Sequence, residues 1–203
     1  MLDKREEILA IARTMAQSHG YNGLSFRELA KAVGVKSSSI HYHFATKEAL
    51  GAALARRYRD DARAELGEPA DARDGLAMLI GNFRLALERD NRMCLCGLMA
   101  AEYDDLPDSV KAEVRGFADD VVGWLSQVLS RLAPRRSSHT IRQQAFAIYA
   151  AIAGAQLTAR GRGDITVFDS IIEGYRVCGL IPTAPARTAK AHRRARTSPR
   201  RRA

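Results

Sequence analysis

Cysteine is scarce: Cys94, Cys96 and Cys178 are the three in a chain of 203 residues. They are too few and too scattered for a disulfide framework, which fits a reducing compartment. No apolar run approaches the roughly 18–20 residues that a membrane-spanning helix requires, so no membrane partner is expected. The first residues, Met1-Leu2-Asp3-Lys4-Arg5-Glu6-Glu7, are charged where a secretory leader would be apolar, and a cytoplasmic protein is expected. Strand-like alternation is missing as well. So are a glycine-rich phosphate loop, a nucleophile motif and a set of metal-ligand spacings, which argues against an enzyme and against a bound metal or cofactor.

Basic residues are plentiful, and their placement is uneven. Residues 1–59 hold ten Lys/Arg against five Asp/Glu, and residues 187–203 hold eight Lys/Arg and no acid, so of the total net charge of +9 the middle carries −4. Basic ends around a mildly acidic body suit a polyanionic partner, although a solvated surface would look the same.

Apolar residues recur at helical spacing almost throughout, which predicts an all-α chain. Asp3 with Glu6 has the form of a capping box, Ile8, Ile11, Ala12 and Met15 make one stripe, and His19-Gly20 ends the first helix. Ser25 with Glu28 starts a second, carrying Phe26, Leu29, Ala30 and Val33 before Gly34. A third runs from near Lys36 to Phe44 and a fourth begins at Thr46-Lys47-Glu48. After the break at Gly67-Glu68-Pro69, helices are expected over 71–89, 92–103, from Pro107 to Leu132, 139–159 and 165–178. The tail after Pro182 lacks periodicity and is expected to be disordered.

The segment 25–44 carries the functional argument. A short amphipathic helix, a glycine turn and a second short helix form a helix-turn-helix whose second helix can enter the major groove. Val35, Ile40 and Phe44 can anchor that helix, leaving Lys36, Ser37, Ser38, Ser39, His41, Tyr42 and His43 outward. Small hydroxyls permit close approach to bases, and either Lys or Arg can donate to guanine. Tyr42, His43 and Lys47 suit phosphate oxygens. His41-x-His43 is not read as a metal site, because side chains two apart on a helix diverge and no third ligand follows.

Residues 6–55 resemble the DNA-binding domain of the TetR (tetracycline repressor-like) family. The match rests on Ile8-Leu9 with Ala12, His19-Gly20-Tyr21, Leu24-Ser25, Leu29-Ala30, Val33-Gly34-Val35, Ile40-x-Tyr42-His43-Phe44 and Lys47-Glu48-Ala49-Leu50. The resemblance implies a homodimeric transcriptional repressor whose two readers meet the halves of a palindromic double-stranded DNA operator, released by a small-molecule effector. It implies base contacts from Arg27, Lys36, Ser37, Ser38 and His41, and phosphate contacts from Ser25, Tyr42, His43 and Lys47. The corresponding organisation is a reader over 1–48, a helical effector-binding and dimerisation domain over 49–182, and a basic tail over 183–203. The small-residue helix of 139–159 and the following one resemble the family's dimer pair, though burial inside a monomer would explain the composition equally well.

In the body, the Cys-rich stretch 92–102 resembles a TetR subgroup that includes electrophile-responsive regulators. Cys94 and Cys96 lie near a helix start beside Arg92, where a thiolate would be stabilised, and could sense reactive molecules. Cysteine is also among the commonest core residues, and the plain reading of both is as small core groups. Phe83, Met99, Tyr103, Phe117 and Trp124 could line an effector pocket or serve as plain core, and Glu102-Tyr103-Asp104-Asp105 reads most simply as a solvated helix end. The alternative function is a general nucleic-acid-binding protein driven by the basic tail.

Overall fold

Single capping and breaking residues divide the chain into nine α-helices among the described residues, 3–67 and 72–182, of a computed structural model. They are α1 (Lys4–His19), α2 (Phe26–Val33), α3 (Ser37–His43), α4 (Lys47–Leu66), α5 (Ala72–Glu88), α6 (Leu95–Ala101), α7 (Asp108–Leu132), α8 (Ser138–Arg162) and α9 (Ile165–Val177), with one 3-10 turn at Tyr103–Asp105. The all-α expectation holds, with helix ends within a few residues of the expected ones. The basic tail, 183–203, lies outside the described residues.

The N-caps are where short polar side chains can take a free amide. Ser25 Oγ accepts from the Glu28 N–H, Thr46 Oγ1 from Ala49, Ser137 Oγ from Thr140 and Asp164 Oδ1 from Thr166. The reciprocal box expected of Asp3 and Glu6 does not form. Asp3 accepts from the Arg5 N–H, whereas Glu6 is drawn to the guanidinium of Arg57 on α4. An ion pair to another helix wins over the local cap.

Helices α1–α3 close around Ile8, Ala12, Leu24, Leu29, Ile40 and Phe44, all buried. The α4 helix begins beside this bundle and runs on into the body, burying Leu50 and Leu54 on the way. There α7 and α8 supply the long apolar faces, including Val110, Val121, Leu125, Ile148 and Ile152. The α4–α7 seam is charged: Asp120 accepts from Arg59 Nε at 2.5 Å and from Arg63 Nη2 at 2.9 Å. Desolvation works against the charge of Asp120, but those hydrogen bonds hold it below the usual carboxylate range.

At the end of α1 the structure corrects the sequence reading. Tyr103, Asp104 and Asp105 of the acidic run after α6 are exposed as expected, but Glu102 is not a solvated acid. Glu102 accepts from the backbone N–H of Tyr21 at 2.5 Å and of Asn22 at 3.2 Å, and Asp105 accepts from Asn22 Nδ2 at 2.8 Å. Gly20 has φ of 74°, and a Cβ there would lie 2.2 Å from the Glu102 carboxylate, so the left-handed turn and the close approach both require glycine. From the opposite side Arg160 of α8 donates to the carbonyls of Gln17 at 3.1 Å and Ser18 at 2.8 Å.

Two buried glutamines complete this contact. Gln17 Nε2 donates to the Met93 carbonyl at 2.9 Å. Gln156, wholly buried, accepts from the Cys94 N–H at 2.9 Å and donates to the Phe83 carbonyl at 2.7 Å. Gln156→Leu keeps the volume and strands both backbone groups. Urea unfolding should register a loss of about 2–6 kcal/mol, from two buried groups at about 1–3 kcal/mol each. A loss below about 1 kcal/mol would mean that water reaches them.

Candidate nucleic-acid interface

The turn between α2 and α3 is set by Gly34, whose φ of 73° and ψ of 34° are left-handed. Its N–H and that of Val35 return to the carbonyls of Lys31 and Ala30, which ends α2 and leaves three residues before α3. Ile40 and Phe44 are buried under α3 and Val35 is packed on the same core, as the spacing predicts. Arg5 stacks over the Phe44 ring at 5.2 Å.

The outward side of α3 is polar and largely free. Lys36, Ser37, Ser38, His41 and Tyr42 are exposed, and Arg27 on α2 lies exposed as well. Tyr42 is 86% exposed, an extreme for an aromatic residue. Its ring meets His43 edge to face at 5.1 Å. Ser39 and His43 are half-buried on the flanks of α3.

Three of the sequence-derived residues have other occupations. His41 packs against the Phe26 ring, with centroids 4.7 Å apart, so it braces α3 on α2 while it faces outward. Ser25 is the α2 N-cap, although its hydroxyl proton remains available to an external acceptor. Lys47 donates to the Asn22 carbonyl at 3.1 Å and lies 4.8 Å from the Tyr21 ring centre. It bridges α4 to the loop after α1, a role that the motif did not reveal. The face as a whole presents two cations, a row of hydroxyls and a free aromatic, a set suited to phosphates and base edges. Among the described residues no cluster of three or more His, Cys, Asp and Glu is arranged to hold a metal.

Away from this face, a cavity of about 440 Å³ lies between α1, α4, α5, α7 and α8. Of the aromatic and methionine candidates, Phe83 and Phe117 line it. Trp124 lines a smaller one of about 230 Å³ and donates to the Gly67 carbonyl, Met99 is sealed in the core, and Tyr103 is half exposed under Lys111.

Cys94 and Cys96 are both buried, at the start of α6. Desolvation pushes both thiols above their ordinary range, and the hydrogen bonds reaching Cys94 from Gly97 and Tyr58 do not reverse it. The expectation of a stabilised thiolate fails here because burial outweighs the helix end, and because Arg92 turns to Asp90 and Thr14 instead. Cys178 is exposed.

Comparison with known proteins agrees with this geometry. A family profile described as "Bacterial regulatory proteins, tetR family" matches residues 8–54. A solved transcriptional regulator of the TetR family from Agrobacterium tumefaciens is 34% identical, with a TM-score of 0.77 over 84% of this chain and 94% of that one. A TetR transcriptional regulator from Legionella pneumophila is 29% identical, with a TM-score of 0.81 over 88% of this chain and 98% of that one. The curated repressor NemR of Escherichia coli is 27% identical over 171 residues, 78% of this chain and 84% of NemR.

Two measurements check these assignments. Tyr42→Ala should weaken binding to any duplex by about three- to tenfold, equally for selected and random sequences, because a phosphate contact carries no sequence information. His41→Ala should in addition lower stability by about 0.5–1.5 kcal/mol through the lost Phe26 contact. Equal stability of the two variants would remove the bracing role. Separately, iodoacetamide near neutral pH should modify native protein at Cys178 alone, and all three cysteines only after denaturation, as read by intact mass. Modification of Cys94 or Cys96 as fast as Cys178 would contradict their burial.

Proposed function

Because this chain belongs to the TetR family of bacterial transcriptional regulators, a DNA-binding family, we propose that it is a homodimeric repressor of a palindromic operator, released by a small molecule. The observation that carries the reading is the outward face of α3, held from below by Ile40 and Phe44 and at its side by the His41–Phe26 contact, and open to solvent along Lys36, Ser37, Ser38 and Tyr42. Such a helix can enter the major groove without unpacking anything.

The dimer is supported by α8. Its buried side faces α7 and α9, while Phe146, Ala147, Ala150, Gly154, Leu157 and Gly161 lie exposed along a single stripe. Small residues with two large apolar ones suit close packing against a second copy, and an exposed apolar stripe of this kind marks an association surface. Effector release is supported by the cavity between α1 of the reader and the body helices. In this reading Cys94 and Cys96 are packing groups of the body, which their burial and raised pKa values favour over a sensing role; the alkylation above tests this.

Selection of bound sequences from a random duplex pool at about 150 mM salt should return an inverted repeat. Its half-sites should fall about 34–36 Å apart or at multiples of that spacing. The same motif should emerge from a chain truncated after residue 186, which lacks most of the basic tail. Failure to enrich any palindrome would overturn the reading, and loss of nearly all binding on truncation would favour the tail-driven alternative.

A further inference from the structure

We propose that the 440 Å³ cavity is a binding site for an organic anion with an apolar body, and that Arg92 receives its charged end. The proposal rests on the reading of this chain as an effector-released repressor and names the chemistry of the effector.

The volume falls within the range of about 300–1,000 Å³ usual for small-molecule sites. Its floor is apolar: Leu54, Leu79, Phe83, Phe117 and Val121 are all buried. Its rim is charged, with Arg13, Arg57, Arg89 and Arg92 against Glu6, Asp61 and Glu65. The carboxylates are occupied. Glu6 and Asp61 both hold Arg57, Asp61 also holds Arg13 at 3.2 Å, and Glu65 accepts from Asn82.

The cations are not fully matched. Nε of Arg92 is the single buried side-chain nitrogen or oxygen without a hydrogen-bond partner among the described residues. The Nη atoms of Arg92 reach Thr14 and an Asp90 whose side chain is 82% exposed, a partner already well solvated. A buried N–H without an acceptor is costly, and a ligand carboxylate would satisfy it through the planar fork of the guanidinium. A cationic head would find the rim carboxylates taken.

The backbone presents Arg92 deliberately. Asp90 and Asn91 are the non-glycine residues with positive φ, at 59° and 53°, among the described residues. They fold the chain back so that the Arg92 N–H donates to the Ala86 carbonyl at 3.0 Å. The next residue, Met93, is hydrogen-bonded to Gln17 of α1. A head group drawn to Arg92 therefore acts on a segment tied directly to the reader.

The test uses full-length protein and three probes with one tail: octanoate, octylammonium and 1-octanol. Calorimetry should give octanoate at least tenfold tighter binding than either of the others, and octanoate should release operator DNA in an anisotropy titration. Arg92→Gln should weaken octanoate at least tenfold while binding the operator as wild type does. Arg92→Lys, which keeps the charge without the fork, should fall between them and serves if the Gln variant does not fold. Ala86→Phe, which fills the half-buried wall beside Arg92, should block octanoate. Octanoate binding no better than octylammonium, or unchanged by Arg92→Gln, overturns the proposal. Octanoate bound through Arg92 by a chain that selects no operator would overturn the repressor reading and leave this one standing.

Discussion

Glu102 of α6 takes the amides of Tyr21 and Asn22, and Arg160 of α8 takes the carbonyls of Gln17 and Ser18, so the body grips the last turn of α1 by its backbone from both polarities. The carbonyl end of a helix is its negative pole, and an arginine there is held by charge as well as by hydrogen bonds. Gly20 makes the grip possible, because any side chain at that position would displace the Glu102 carboxylate. The direction in which the chain leaves α1 is fixed by this contact, and α2 and α3 inherit it through Tyr21 and Leu24, both buried.

What hangs from that joint is slight. An isolated helix of seven residues does not persist in water, and α3 has only Ile40 fully buried. Its order comes from outside itself: the glycine cap at Gly34, the Phe44 anchor below, and the Phe26–His41 contact at its side. This economy leaves the opposite face unburdened. Tyr42 can stand 86% exposed because nothing in the reader depends on it. The residues that position α3 and those free to meet a partner are nearly separate sets, and His41 is the one that belongs to both.

That separation explains what the sequence disclosed. Local rules sufficed for the helices, for the glycine turn at Gly34 and for the inward triad of Val35, Ile40 and Phe44, because each depends on neighbours within a few residues. The failures are contacts between distant parts of the chain. Glu102 lies 80 residues or more from the amides it binds, and nothing near it distinguishes it from a solvated acid. Glu6 fitted a local capping pattern and was diverted to Arg57, and the Lys47 contact with the Asn22 carbonyl was likewise invisible from its neighbours. For Cys94 and Cys96 the helix start was legible, but the burial that reverses its effect was not.

The joint also bears on how a ligand could control the reader. Moving a two-state equilibrium from 1:99 to 99:1 takes about 5.5 kcal/mol of differential binding. Hydrogen bonds to charged groups contribute about 1.5–3 kcal/mol each, and less where partly solvated. The four that fasten α1 therefore sum to about 6–12 kcal/mol before that discount, at least what such a ligand supplies, so in the proposed control a bound molecule shifts the α1 end and leaves the joint made. The helix that supplies Arg160 is also the one whose exposed stripe would face a second copy in the proposed dimer. A displacement of α1 against α8 is then a displacement of the reader against the dimer axis, and the separation of two readers is what decides whether both reach the DNA.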